Sequence, residues 1–287
     1  MNLWNRDTEI NFFREALKSF ASPEKVFYSL NSGHYAYVPK RVDTEQQTLQ
    51  SRNSLIGGFT ERWVKDLFEP LAEKLGYYAV NGVVCPDISL SNKSDGDLAF
   101  CSTPDKNQEP QNIKLIFEVK MSIVNNYKFK GDNRIEYIGD YNSHKGNPSL
   151  LRSDSMLKAI GKSINIRVSG NASAGIPIVI LGNSPINESY VEKVDFLKKA
   201  GVIQGFWSLF PEPTDGNDYI KATPEKGFQT IEKPYDLEER LENLLAEEMH
   251  FFSSMVPKKQ LGSIIYEAAK EQNDIKRAEK FLELLKQ

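Results

Sequence analysis

Hydrophobic and polar positions alternate with period two over 114–123. Leu115, Phe117, Val119, Met121 and Ile123 share one face, and Lys114, Ile116, Glu118, Lys120 and Ser122 share the other. This spacing predicts a β-strand. Helical spacing takes over at 59–75, where Phe59, Trp63, Leu67, Leu71 and Leu75 recur and Gly76 offers a stop. A shorter amphipathic helix is predicted over 7–20, from Ile10, Phe12, Phe13 and Leu17. Further strands are predicted at 77–85, 97–102, 176–182 and 202–209, and further helices at 154–167, 189–200, 235–250 and 257–286. In the 154–167 helix, Leu157, Ile160 and Ile164 form the apolar stripe, and Lys158 and Lys162 stand four apart. Three stretches lack periodicity and are expected to be loops: 26–58, 124–153 and the proline-rich 211–234. The order predicts an α/β fold, a mixed central sheet flanked by helices, with a helical C-terminal appendage.

Composition narrows the class without changing that picture. The chain has 287 residues, 40% hydrophobic and 26% charged, as in ordinary globular proteins. A net charge of −3 gives no overall basic signature, so any nucleic-acid surface must be a local patch. Two cysteines, Cys85 and Cys101, make no disulfide framework, which points to a reducing compartment. Three histidines and two cysteines also cannot build a cysteine-rich zinc site. The first residues lack a signal-peptide core, and the longest apolar runs are too short to cross a bilayer, so a cytoplasmic protein is expected.

One strand carries an unusual pair. Glu118 and Lys120 lie on the same face of a segment otherwise suited to the interior, where charge is costly unless compensated. Asp274-Ile275-Lys276 has the same form but sits in a polar helical region, where a solvated face explains it. Upstream, Ser94-Asp95-Gly96-Asp97 opens the 97–102 strand. If the two strands pair as a hairpin, Asp97 and Glu118 converge at one sheet end. Two carboxylates at one point repel unless a cation lies between them. Oxygen-only ligation suits Mg²⁺, which takes one or two carboxylates, waters and a substrate phosphate. Lys120 would then face that phosphate.

Asp97, then Glu118-Val119-Lys120 on the next strand, preceded by a helix holding Glu61, resembles the PD-(D/E)XK nuclease superfamily. The resemblance covers about residues 59–182 and implies an αβββαβ core. It also implies Mg²⁺-dependent hydrolysis of DNA phosphodiester bonds. Asp97, Glu118 and the Val119 carbonyl would bind the metal, Lys120 would be catalytic, and Glu61 would assist. The first acid is open among Asp97, Asp87 of the literal Pro86-Asp87 pair, and Asp95, with Asp97 preferred because it adjoins the Glu118 strand.

The size, the absence of an ATP-binding loop and the additions at both ends most resemble a type II restriction endonuclease. Such an enzyme implies double-stranded DNA as partner and a homodimer matched to a two-fold target. The expected domains are an N-terminal helix with a DNA-facing arm (1–58), a nuclease core (59–210) with a polar insert (124–153), and a connector with C-terminal helices (211–287). The arm brings Arg41, with Lys40, Arg52, Gln46 and Gln47. The insert and the helix after it bring Lys128, Lys130, Arg134, Lys145, Arg152 and Lys158, residue types that bind phosphates and read base edges. The Leu-rich helices, Leu237 to Leu245 and Ile264 to Leu285, are candidate dimer elements. Two other functions fit the same residues: a structure- or repair-specific nuclease of the same superfamily, and a non-catalytic DNA-binding module that keeps the fold.

Overall fold

The structure is a computed structural model that describes residues 2–19, 22–43, 49–216, 218–252 and 256–285. Gln46 and Gln47 of the expected arm lie outside the described residues. The chain forms two compact units, Met1–Met249 and His250–Gln287.

The larger unit is built on a mixed six-stranded sheet. Its strands are β3 (Tyr78–Val83), β4 (Gly96–Cys101), β5 (Ile113–Val119), β8 (Ile178–Gly182), β9 (Gly205–Ser208) and β10 (Phe228–Thr230), in the order β10-β9-β8-β5-β4-β3. β3, β4 and β5 run antiparallel, with Leu98 opposite Phe117. From β5 onward the pairs are parallel, with Ile116 opposite Ile178. Parallel neighbours need a crossover, and α3 (Ser153–Val168) supplies the one between β5 and β8.

Alternation along the strands sends side chains to two apolar layers. Leu98, Phe100, Leu115 and Phe117 pack with Val64, Leu67 and Phe68 of α2 (Gln50–Lys74) and with Phe12 and Phe13 of α1 (Arg6–Ser19). Ala99, Ile116, Ile178 and Ile180 pack with Met156, Ala159 and Ile166 of α3 and with Val194 of α4 (Val191–Lys199). By the same alternation Asp97 and Glu118 belong to the face that α3 covers. Cys85 and Cys101 are free and buried, and burial pushes the Cys101 thiol up to about 12, as for inert core packing.

Several expectations are corrected. The strand predicted over 114–123 ends at Val119. Lys120 N–H still reaches the Leu181 carbonyl at 2.7 Å, but beyond it Asn183 takes over the ladder. Its Oδ1 accepts from Ser122 N–H at 3.1 Å, and its Nδ2 donates to the Ser122 carbonyl at 2.6 Å. The aperiodic 26–58 stretch holds a hairpin, β1 (Tyr28–Leu30) and β2 (Gly33–Tyr35), and α2 begins at Gln50 rather than 59. The 124–153 insert contains β6 (Asn126–Phe129) and β7 (Ile135–Gly139). These join the hairpin in an antiparallel sheet, β1-β2-β6-β7, in which Phe27 stacks on Phe129 at 5.5 Å. Two polar stretches distant in sequence thus complete each other.

On α3 the predicted apolar stripe is split: Ile160 packs against the core, but Leu157 is 62% and Ile164 43% exposed, and the helix buries Met156, Ala159, Ser163 and Ile166. The 211–234 connector contains β10, an edge strand. Leu237 and Leu241 of α5 (Pro234–Ala246) are buried in the larger unit's core, so they do not offer a free dimer face. In the smaller unit the predicted 257–286 helix is two helices, α6 (Lys258–Ala268) and α7 (Asp274–Leu285). No helix among the described residues is long and apolar enough to cross a membrane.

Candidate active site

Asp97 stands at the start of β4 and Glu118 near the end of β5. The antiparallel register places them at the same end of the sheet, and the Val119 N–H donates to Asp97 Oδ2 at 2.7 Å. Glu118 is 5% exposed. A carboxylate so placed needs cations, and two lysines provide them. Lys120, just past β5, pairs with Glu118 Oε1 and lies 3.8 Å from Asp97 Oδ2. It also donates to the Val119 carbonyl at 3.2 Å. Lys162 of α3 donates to Asp97 Oδ1 at 3.3 Å and lies 2.5 Å from Glu118 Oε2. Each Glu118 oxygen thus faces one ammonium, Oε1 that of Lys120 and Oε2 that of Lys162.

The electrostatics follow from this packing. Burial, then Asp97, pushes the Glu118 carboxyl above the ordinary range, against the pull of both lysines. Burial alone would lower the Lys162 ammonium, but Glu118 and Asp97 outweigh it and hold it above the ordinary lysine range. Glu61 lies on α2, where its own carbonyl accepts from Asn81 Nδ2 at 3.2 Å. Burial, then Asp97 and Asp95, pushes its carboxyl up, so it lies within the field of the pair. Asp95 faces Lys106 at 3.6 Å, and Asp87 occupies the short 3₁₀ turn Pro86–Ile88. Neither pairs with Lys120 or Lys162.

The segment after β5 is fixed from outside the strand. Ser149, in a left-handed conformation with φ 48°, donates its hydroxyl to the Lys120 carbonyl at 2.6 Å and accepts from Asn183 N–H at 3.0 Å. Its own N–H donates to Ser122 Oγ at 2.8 Å. Together with Asn183, these bonds hold residues 120–122 where no ladder does.

A groove of about 940 Å³ opens beside Val119 and Lys120. Of the candidate DNA-binding residues, Lys145, Arg152 and Lys158 line it, while Arg41, Lys128, Lys130 and Arg134 do not. Lys130 pairs with Glu136 at 2.7 Å, and the Lys128 ammonium lies 5.0 Å from the Tyr35 ring centre. Arg52, expected on a DNA-facing arm, is 3% exposed, with its guanidinium 5.1 Å from the ring centres of both Tyr28 and Tyr37.

Lys162 was not singled out for chemistry from the sequence. Its signal was its place one helical turn after Lys158, and only the crossover of α3 behind β5 brings it to the acids. The other unforeseen residues are Asn183 and Ser149, which act through backbone bonds that no spacing announces.

Among the described residues no group of three or more His, Cys, Asp and Glu side chains is arranged to hold a metal ion. Mg²⁺ needs fewer, because waters and substrate complete its shell. Here the Lys120 ammonium marks the point where Asp97 Oδ2, Glu118 Oε1 and the Val119 carbonyl converge. Three anionic or carbonyl oxygens about one cation are a donor set that fits a hard divalent ion.

No protein-family model, no curated protein and no solved structure matches the chain.

Proposed function

We propose that the protein is a Mg²⁺-dependent endonuclease that cuts double-stranded DNA, acting as a type II restriction enzyme does. The observation that carries this reading is the convergence of Asp97, Glu118 and the Val119 carbonyl on the Lys120 ammonium, with Val119 and Lys120 lining a groove that also holds Lys145, Arg152 and Lys158. Asp97, Glu118 and the Val119 carbonyl would hold the ion. When bound, Mg²⁺ supplies Lewis-acid stabilisation of the phosphate and a more acidic water. Lys120 offers an ammonium to the developing negative charge of the phosphate. The groove's basic residues bind and orient the backbone.

A two-fold DNA target would be met by a homodimer, each copy cutting one strand. Incubating the full chain with plasmid DNA and Mg²⁺ tests the reading. Discrete fragments that vanish with a chelator are expected. Nicking confined to branched or damaged DNA would move the function to a structure-specific nuclease. Metal-dependent binding without any cut would leave a DNA-binding module.

A further inference from the structure

The four carboxylate oxygens of Asp97 and Glu118 are shared out between two lysines on opposite sides. Lys120 takes Asp97 Oδ2 and Glu118 Oε1, whereas Lys162 takes Asp97 Oδ1 and Glu118 Oε2. The pair therefore offers two cation positions, but they differ in kind. The Lys120 side adds a third oxygen, the Val119 carbonyl. Lys120 itself hangs from the irregular segment after β5, free of any helix. Lys162 comes from a sixteen-residue helix pinned to the core by Met156, Ala159 and Ile166; the two side chains are about equally buried, so the difference lies in their backbones. One turn earlier, Lys158 on the same helix is 76% exposed and pairs with Asp154 instead. The inward lysine is thus a feature of where α3 crosses the sheet end.

We infer that Lys162 is a built-in second cation: it fills one of the two positions about the Asp97–Glu118 pair, so that the site takes a single divalent ion on the Lys120 side. The inference rests on the metal-dependent reading of the site. Charge balance supports it. With Lys120 and Glu61 cancelling each other, one divalent ion beside Lys162 and two carboxylates leaves a single positive charge. One phosphodiester neutralises that. A second divalent ion would leave three positive charges in a partly buried place, which is costly. Lys162 is then a positioning residue that also keeps the two acids together before metal arrives.

The test is a count of bound Mn²⁺ by electron paramagnetic resonance and equilibrium dialysis, on the full chain without DNA. Wild type is expected to bind one ion per chain at the site, lost in Glu118→Gln. Lys162→Met, which keeps the stem and removes the charge, should bind two, and Lys162→Arg should return to one. Thermal melting of each variant verifies folding. Two ions in wild type, or one in a folded Lys162→Met, would overturn the inference while leaving the metal-dependent reading intact. No Mn²⁺ sensitive to Glu118→Gln would sink that reading and the inference with it. Should Lys162→Met not fold, the wild-type count together with Lys162→Gln decides.

Discussion

Val119 N–H donates to Asp97 Oδ2 at 2.7 Å, so the acid that opens one strand is clamped by the main chain of the next. The clamp fixes Asp97 relative to Glu118 through one peptide unit, whatever occupies the space between their side chains. It also means that Asp97 can be altered in two distinct ways: by charge, or by loss of an acceptor.

Asp97→Asn keeps an acceptor for Val119 and removes the charge. It should melt close to the parent yet lose cleavage by on the order of 10³-fold. Asp97→Ala and Glu118→Ala should also abolish cleavage. In metal-free buffer either loss should leave DNA binding equal or tighter, since the carboxylates repel phosphate. Lys120→Ala should lose cleavage with binding weaker or level. A folded Glu118→Ala cutting at the parental rate would remove the acid from the site.

The groove separates basic residues that composition alone cannot rank. Lys145→Ala, within it, should weaken DNA binding and reduce the salt slope by about 1. Arg134→Ala, outside it, should change little. Fluorescence anisotropy across a salt series measures both. Equal effects at the two positions would place the duplex elsewhere.

Asn183→Ala breaks both bonds to the Ser122 main chain, leaving only the Ser149 N–H on its hydroxyl. A stability loss of about 1–3 kcal/mol is expected by urea unfolding. Cleavage should fall on the order of tenfold in kcat, because Lys120 loses its fixed approach. An unaltered kcat with the stability loss present would confine Asn183 to a structural role.

His144 gives a pH signature independent of the acids. Its ring is 1% exposed, stacks on Tyr37 at 4.0 Å, and Nε2 lies 3.0 Å from the Val124 carbonyl. Burial lowers it from 6.5 to about 4. A depressed folded pKa means that this stability is present in full above 6.5 and is lost as pH falls toward 4. The loss should be on the order of 3 kcal/mol over that window. Urea unfolding at pH 7.5 and 4.5 measures it, and His144→Gln, though less stable at pH 7.5, should show a flatter dependence. Parallel curves for the two proteins would contradict the assignment.

The central hairpin was legible in the sequence because period-two alternation and an acid on each strand, Asp97 and Glu118, are local features. The helices at 59–75 and 154–167 were legible for the same reason, but the buried face of the second was not. Leu157 and Ile164 outrank Ala159 and Ser163 in hydrophobicity, yet it is Ala159 and Ser163 that lie buried between Met156 and Ile166 where α3 meets the sheet. The second sheet escaped because β1, β2, β6 and β7 are three to five residues long and polar on one side, and β2 must find β6 far along the chain, with His34 opposite Phe129 and Tyr35 opposite Lys128. Lys162 and Asn183 escaped because their roles exist only once the β5–α3–β8 crossover is made.

Glu9 of α1 is wholly buried and accepts from Val124 N–H, Asn125 N–H and Nδ2, Tyr127 OH and Trp4 Nε1. Trp4 N–H in turn donates to the Leu209 carbonyl at 3.0 Å. On the ribosome, the first helix is therefore made long before its partners. Glu9 must wait for residue 127 and Trp4 for residue 209 before either has a complete set of bonds, and such distant closures are slow. α1 is thus made before the partners it needs and settles after them. The second sheet closes once β7, ending at Gly139, has joined the β1–β2 hairpin, and the bond of Trp4 to Leu209 follows only about seventy residues later.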